Sequence, residues 1–203
     1  MLVVVVIVLI AAVFAGAAAI WWRSHAKFVE SREEHWFKTF AAERGGTFNS
    51  GVPSDTKATP SFGVSHPSGR PLAGGNTTWV EFRHGDRPVI AIDAQEPYRH
   101  FDDHTHFRDI HVTQVRVPPS PELRITAGQV SMPTDPRLEA DLARWLADTP
   151  RFAQRDVVVE HGSARAWGQG CATRQNVVAE AGYLADLAES LPAALWNVSG
   201  GAS

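Results

Sequence analysis

Sulfur is scarce in this chain and net charge is small. One cysteine, Cys171, stands among 203 residues, so no intramolecular disulfide can form, and that scarcity agrees with a reducing compartment. The formal net charge is −3 with both signs interspersed, so no basic face advertises nucleic acid and none is expected as a partner. No serine sits in a Gly-x-Ser-x-Gly elbow, and no Gly-Lys-Ser/Thr follows a glycine-rich turn. Those two gaps exclude the exposed serine of an α/β-hydrolase and the phosphate cradle of a P-loop. There is no internal repeat and no long low-complexity run.

Charge is missing altogether from the first stretch. Leu2 to Ile20 carries no charged or strongly polar side chain, and Trp21 and Trp22 close it. As a helix, Leu2–Trp22 covers roughly 31 Å, close to a bilayer's hydrocarbon thickness. The Val/Ile run favours strand in water, but an open strand in lipid leaves its backbone groups unpaired, whereas a helix pairs them internally. The two indoles suit the headgroup boundary. Ala11, Ala15 and Ala19 recur every four positions and offer a close-packing face to another helix, or simple apolar filler. A cleaved signal peptide competes with this reading, because Ala15-Gly16-Ala17 and Ala17-Ala18-Ala19 imitate cleavage sites. Against it, no Lys or Arg precedes the apolar run, and that run exceeds a usual h-region. Residues 1–23 are therefore expected to be a single retained anchor. Arg23, Lys27, Arg32 and Lys38 follow it, which by the positive-inside rule puts the rest of the chain in the cytoplasm, bound to the cell membrane.

Residues 24–45 read as a juxtamembrane helix. Ser31 and Glu34 have capping-box spacing, Trp36, Phe37, Phe40 and Ala41 form a helical stripe, and Gly45-Gly46 stops it. The stripe suits either a core or the bilayer surface, where Glu33 and Glu34 would meet anionic lipid badly. Residues 46–203 read as a soluble domain. Thr47–Asn49 starts a strand, and 51–76, rich in Gly, Pro, Ser and Thr, is a long loop. Thr77–Phe82 and Val89–Ile92 flank a turn and form a hairpin. Val112–Val117 and Leu123–Thr126 are further strands. Asp135-Pro136 opens an amphipathic helix to Ala147. Asp156–Glu160 and Ala164–Trp167 form a second hairpin about His161-Gly162-Ser163. Thr173 caps a last helix to Ser190, and Leu195-Trp196 folds back on the core. The fold class is α+β: an N-terminal transmembrane helix followed by an antiparallel sheet backed by helices.

The order of elements resembles a group of uncharacterised actinobacterial single-pass membrane proteins. The resembling residues are Val115-Arg116-Val117-Pro118, Pro121-Glu122-Leu123-Arg124-Ile125, and the last helix with Leu184, Leu187, Leu191-Pro192 and Trp196. The resemblance covers about half of the part beyond the anchor and includes no catalytic motif. This chain departs from the group by lacking a longer insert after Ile125. What the resemblance implies is a membrane-tethered domain of unknown activity, and it transfers no site residues.

Two constellations could carry chemistry. His100, His104, His106 and His111 interleave with Asp102, Asp103 and Asp109, and neutral imidazoles with carboxylates make good zinc ligands. His104, His106, Asp109 and His111 are the candidate metal set. Their spacing resembles the metallo-β-lactamase motif, but the aspartate and last histidine are each displaced, and the downstream histidines are missing. The plainer reading is a polar loop entering the Val112 strand. Cys171 lies at the start of the last helix, where backbone amides can depress a thiol pKa and His161 could sit across the hairpin as a base. A lone cysteine is more commonly a small buried apolar residue.

The sequence thus leans towards a non-enzymatic, membrane-tethered protein-binding domain, an accessory subunit of a membrane complex. It takes no cofactor, and its partners are the lipid bilayer through Leu2–Trp22 and an unidentified protein. The alternative is a membrane-bound metal-dependent hydrolase using the His100–His111 cluster. For the anchor, a phosphatase reporter fused to the C-terminus is expected to stay inactive, because it folds only after export. Reporter activity, or a mature N-terminus beginning near Ala18, would reverse the assignment.

Overall fold

The computed structural model describes residues 36–51, 77–99 and 105–197. The anchor Leu2–Trp22, the start of the juxtamembrane helix, most of the 51–76 loop, and His100 and His104 lie outside the described residues. Among the described residues no helix is long and apolar enough to cross a membrane.

The chain is α+β. Helix α1 occupies residues 36–43. Eight strands follow: β1 Thr47–Gly51, β2 Thr77–His84, β3 Arg87–Arg99, β4 Thr105–Arg116, β5 Leu123–Thr126, β6 Gln129–Ser131, β7 Val157–Glu160 and β8 Ser163–Gln169. Helix α2 (Pro136–Asp148) and a 3₁₀ turn (Pro150–Ala153) precede β7, and α3 (Arg174–Ser190) and α4 (Ala193–Asn197) close the described chain. The strands make one antiparallel sheet in the order β1-β2-β3-β4-β8-β7-β5-β6.

Local chemistry accounts for the boundaries. Gly85, at φ +62, turns β2 into β3. Two-residue turns at Ala127-Gly128 and His161-Gly162 carry positive φ at both positions, the geometry that matches a hairpin's own twist. The Asp135 carboxylate accepts from the amides of Arg137 and Leu138 at 3.0 and 3.1 Å, with Pro136 beginning α2. Thr173 and Asn176 form a reciprocal capping box at α3, and Leu191-Pro192 ends that helix. One strand is not evident in the sequence. β6 escapes notice because its turn is Ala-Gly rather than Asn-Gly and it is only three residues long.

Register places the core. Val80 of β2, Ala91 of β3, Thr113 of β4, Ala166 of β8, Val157 of β7 and Ile125 of β5 lie side by side across the sheet. On this face the sheet packs with α1, α2, α3 and α4 in one cluster that includes Phe37, Phe40, Leu142, Val177, Leu184 and Leu195. The opposite face carries Trp79, Ile90, Ile92, Ala94, Ile110 and Val112, also buried, with Trp167 against them. Burial on both faces explains why Val89–Ile92 is uninterruptedly apolar instead of alternating.

The α1 stripe belongs to the core. Phe37 and Phe40 are fully buried, and Phe40 meets Phe82 edge-on with centroids 4.9 Å apart. Gly46 does more than stop the helix: a Cβ there would overlap the Glu81 carbonyl oxygen, so α1 can turn into β1 only with glycine at that position.

A correction concerns the histidine-rich stretch. The sequence predicts a polar loop as far as Val112, but strand begins at Thr105. β3 and β4 run on together past the point where β2 last pairs, Thr78 with Asp93, and where β8 last pairs, Gln169 with Ile110. The result is a two-stranded ribbon of residues 94–99 and 105–109. Arg108 donates to Glu96 at 2.8 and 2.9 Å, and Gln95 to Asp109 at 3.2 Å. Such cross-strand pairs hold a ribbon whose polar sequence resembles a loop.

Phe40→Ala is expected to cost about 3–5 kcal/mol, the usual range for emptying a buried aromatic site, read as a lower urea midpoint. A loss under about 1 kcal/mol would mean that α1 is not part of the cooperative core.

Candidate functional site

The buried face of α3 contains a carboxylate. Val177, Ala181, Leu184 and Leu187 point into the core as their spacing requires, and Glu180 lies in the same stripe with 1% of its surface exposed. An ionised carboxylate is stable there only with donors around it. Three are present. Thr113 Oγ1 donates to Oε2 at 2.6 Å, Arg155 donates to Oε1 at 2.8 Å, and the His111 ring sits with Nε2 3.2 Å from Oε1. Thr113 and His111 share the helix-side face of β4, and Arg155 reaches in from the turn before β7, its own side chain 40% exposed.

His111 is itself enclosed. Its Nδ1 faces the Gly170 carbonyl oxygen at 3.0 Å. Its ring lies on Gly168, the residue paired with it across β4 and β8, where a Cβ would come within 2.6 Å of Cε1. Asp93, its register partner on β3, accepts from the amide of Ala172 in the link between β8 and α3. Asn176 Nδ2 approaches Nε2 at 3.4 Å, while Asn176 Oδ1 accepts from the Thr173 amide at 2.6 Å.

These contacts shift both titrations. The hydrogen bond with Glu180 raises the His111 pKa above its ordinary value; burial opposes it, and the Gly170 carbonyl and the charges of Glu180 and Asp93 add to it. Burial pushes the Glu180 carboxyl up, yet the hydrogen bonds from His111 and Thr113, with the charges of His111 and Arg155, together hold it below its ordinary value. Tyr183 is raised by burial against the nearby Arg155 charge, and its hydroxyl donates to the Phe152 carbonyl at 2.9 Å.

The metal set read from the sequence is not assembled among the described residues. Strand alternation puts His106 on one face of β4 and Asp109 with His111 on the other. Asp109 is bound by Gln95, and both ring nitrogens of His111 face oxygen atoms. Among the described residues no group of three or more His, Cys, Asp or Glu converges as a metal requires, and His104 lies outside them. Cys171 is half-exposed in the link before α3. His161 sits at the turn before β8, and β8 alone spans roughly 23 Å, so it cannot serve Cys171 as a base.

The arrangement is therefore a sealed ion pair. His111 is 6% exposed, so no substrate reaches either partner, and what the pair does is tie α3 to β4. Sequence reasoning missed Glu180, although a signal existed: one carboxylate inside the stripe Val177, Ala181, Leu184, Leu187. No known protein family, curated protein or solved structure matches the chain.

The pair makes stability depend on pH from both sides. His111, with its pKa raised on folding, contributes fully below its unfolded value and loses that contribution as pH rises through its folded value. Glu180, with its pKa lowered, contributes above its unfolded value and loses it as pH falls through its folded value. Urea midpoints are expected to be highest near about pH 5–6, between the two ordinary values, and to fall towards pH 9. In His111→Gln the alkaline fall should shrink. An identical slope in that variant would place the dependence elsewhere.

Proposed function

We propose that the chain is a membrane-tethered, non-enzymatic protein-binding domain, an accessory subunit of a membrane complex. In this reading Leu2–Trp22 spans the bilayer, the positive flank keeps the domain cytoplasmic, and the β3–β4 ribbon meets the partner. The apolar length of Leu2–Ile20 supports the tether. A single observation carries the binding role. Phe107 on the ribbon is 55% exposed, and among the described residues it is the exposed large hydrophobic side chain.

Its surroundings suit docking. Among the described residues the ribbon projects beyond the strands on either side, and Gln95, Phe107 and Asp109 are exposed along one face of it. The Glu96–Arg108 ion pair at 2.8 Å holds its register around the aromatic ring. An aromatic anchor framed by polar groups is the common form of an interface hot spot. The buried histidine–glutamate pair, by contrast, is closed to any reactant and favours no enzymatic reading.

The test is affinity capture of the full-length protein in mild detergent, beside Phe107→Ser. A protein that co-purifies with the parent and is lost from the variant, with the urea midpoint unchanged, is the expected outcome. Equal capture by both would take the ribbon out of the interface. Capture of nothing by the parent would contradict the binding role.

A further inference from the structure

The two ring nitrogens of His111 face two acceptors. Nδ1 is 3.0 Å from the Gly170 carbonyl oxygen and Nε2 is 3.2 Å from the Glu180 carboxylate. A neutral imidazole carries one N–H and can satisfy only one of them, whereas an imidazolium donates to both. The ring fills the space above Gly168, where a Cβ would approach Nε2 to 2.8 Å, and contacts on both of its nitrogens fix its orientation. Moving the proton to Glu180 is disfavoured too. Its Oε1 already accepts from Arg155 and its Oε2 from Thr113. A proton on Oε1 would therefore face a group that only donates, and one on Oε2 would force the Thr113 hydroxyl to turn and would leave Arg155 without its carboxylate charge.

We propose that His111 is a pH-operated latch on the Gly170–Thr173 link into α3: as an imidazolium it holds both the Gly170 carbonyl and Glu180, and on losing a proton it keeps Glu180 and releases Gly170.

The choice of which bond survives follows from charge. The remaining N–H stays with the carboxylate, because a hydrogen bond to an ionised acceptor is roughly twice as strong as one to a neutral carbonyl. The Asn176 Nδ2 contact with Nε2, at 3.4 Å, is too long to hold that nitrogen as an acceptor instead. The bare Nδ1 then confronts the Gly170 oxygen lone pair to lone pair. That link is also held by the Gly170 amide, which donates to the Asp109 carbonyl at 2.8 Å, by the Ala172 amide on the Asp93 carboxylate, and by the reciprocal Thr173–Asn176 cap. The His111 ring is thus the tie on the Gly170 carbonyl. Releasing the Gly170 carbonyl therefore loosens the short segment that carries Cys171 and the Thr173 cap, while the sheet and the body of α3 remain packed.

The charged groups around the ring act in opposite directions, and Asp109, on the same face of β4, has the sign that favours the proton. Glu180 from α3 and Asp93 from β3 favour the proton, and the Arg155 cation, bound to the same Glu180 Oε1 that His111 faces, opposes it. Thr113 from β4 and Asn176 from α3 are polar and uncharged, and β8 presents only the Gly168 backbone. Arg155 is the adjustable member because it is half-exposed and its removal empties no core.

The experiment uses full-length protein in mild detergent, with histidine ring nitrogens labelled and amide hydrogen exchange followed from pH 6 to 10. Both His111 nitrogens should carry protons at pH 6, and one should lose its proton above the ordinary histidine range. Over the same interval, exchange of the Gly170–Thr173 amides, corrected for base catalysis, should quicken about tenfold, with α2 unchanged. Arg155→Gln should move both changes to higher pH. A bare ring nitrogen at pH 6 would overturn the latch, as would quickening equally in α2, no quickening at all, or a transition that Arg155→Gln leaves in place.

Discussion

The constraint on which the rest depends is a carboxylate placed where the helix must be apolar. Glu180 occupies the turn of α3 that faces β4, between Val177 and Leu184, and its desolvation has to be offset locally. Thr113, Arg155 and His111 supply the donors. Their positions follow from that demand. Thr113 and His111 sit two residues apart on one face of β4, so strand alternation alone brings both to the same helix. Gly168 is fixed in turn, because the imidazole fills the space above its Cα. Apolar contacts bring α3 onto the sheet, and the polar cluster sets where along the sheet it rests, since sliding by a turn would leave a charge without donors.

This constraint accounts for the division of the sheet into two ends. Towards the β2–β3 turn and the β7–β8 turn, the helix-side rows are apolar: Phe82, Val89, Val115, Ala164, Val159 and Leu123. Towards the ribbon, the rows become Asp93, His111 and Gly168, and then Gln95 and Asp109. The helices end their cover there, and β3 and β4 continue as a polar ribbon with Phe107 exposed. The sheet thus has a packed end and a projecting end. Phe107 can change without touching the core, and the core is sealed without restricting the ribbon.

Much of the fold is legible in the sequence because its signals are short-range. Asp135-Pro136 and Thr173 state where α2 and α3 begin, Gly85 and Gly162 state where hairpins turn, and the stripes of both helices name their buried faces. The failures are of another kind. The ribbon strand from Thr105 looks like a loop because its stabilising partners, Glu96 and Gln95, lie on another strand and its alternation, Phe107 apart, is polar on both sides. The four-histidine cluster looks like a metal set because spacing carries no face information until the strand is known; with it known, His106 and His111 part company. The Glu180–His111 pair spans 69 residues of sequence, and only the register of β4 against β8 and the rotation of α3 bring it together. Even so, a carboxylate inside an apolar helical stripe is plain in the residues themselves, and burial of that stripe demands a partner for it.

The central claim, that Glu180 and His111 hold each other in place as a buried pair, is tested most directly by a double-mutant cycle. Urea denaturation at pH 6 of the parent, His111→Gln, Glu180→Gln and the double variant gives the coupling energy without reference to any function. The account predicts that each single change is costly and that the double variant loses far less than their sum, a coupling above about 1.5 kcal/mol. Additivity within about 0.5 kcal/mol, the behaviour of independent sites, would contradict it.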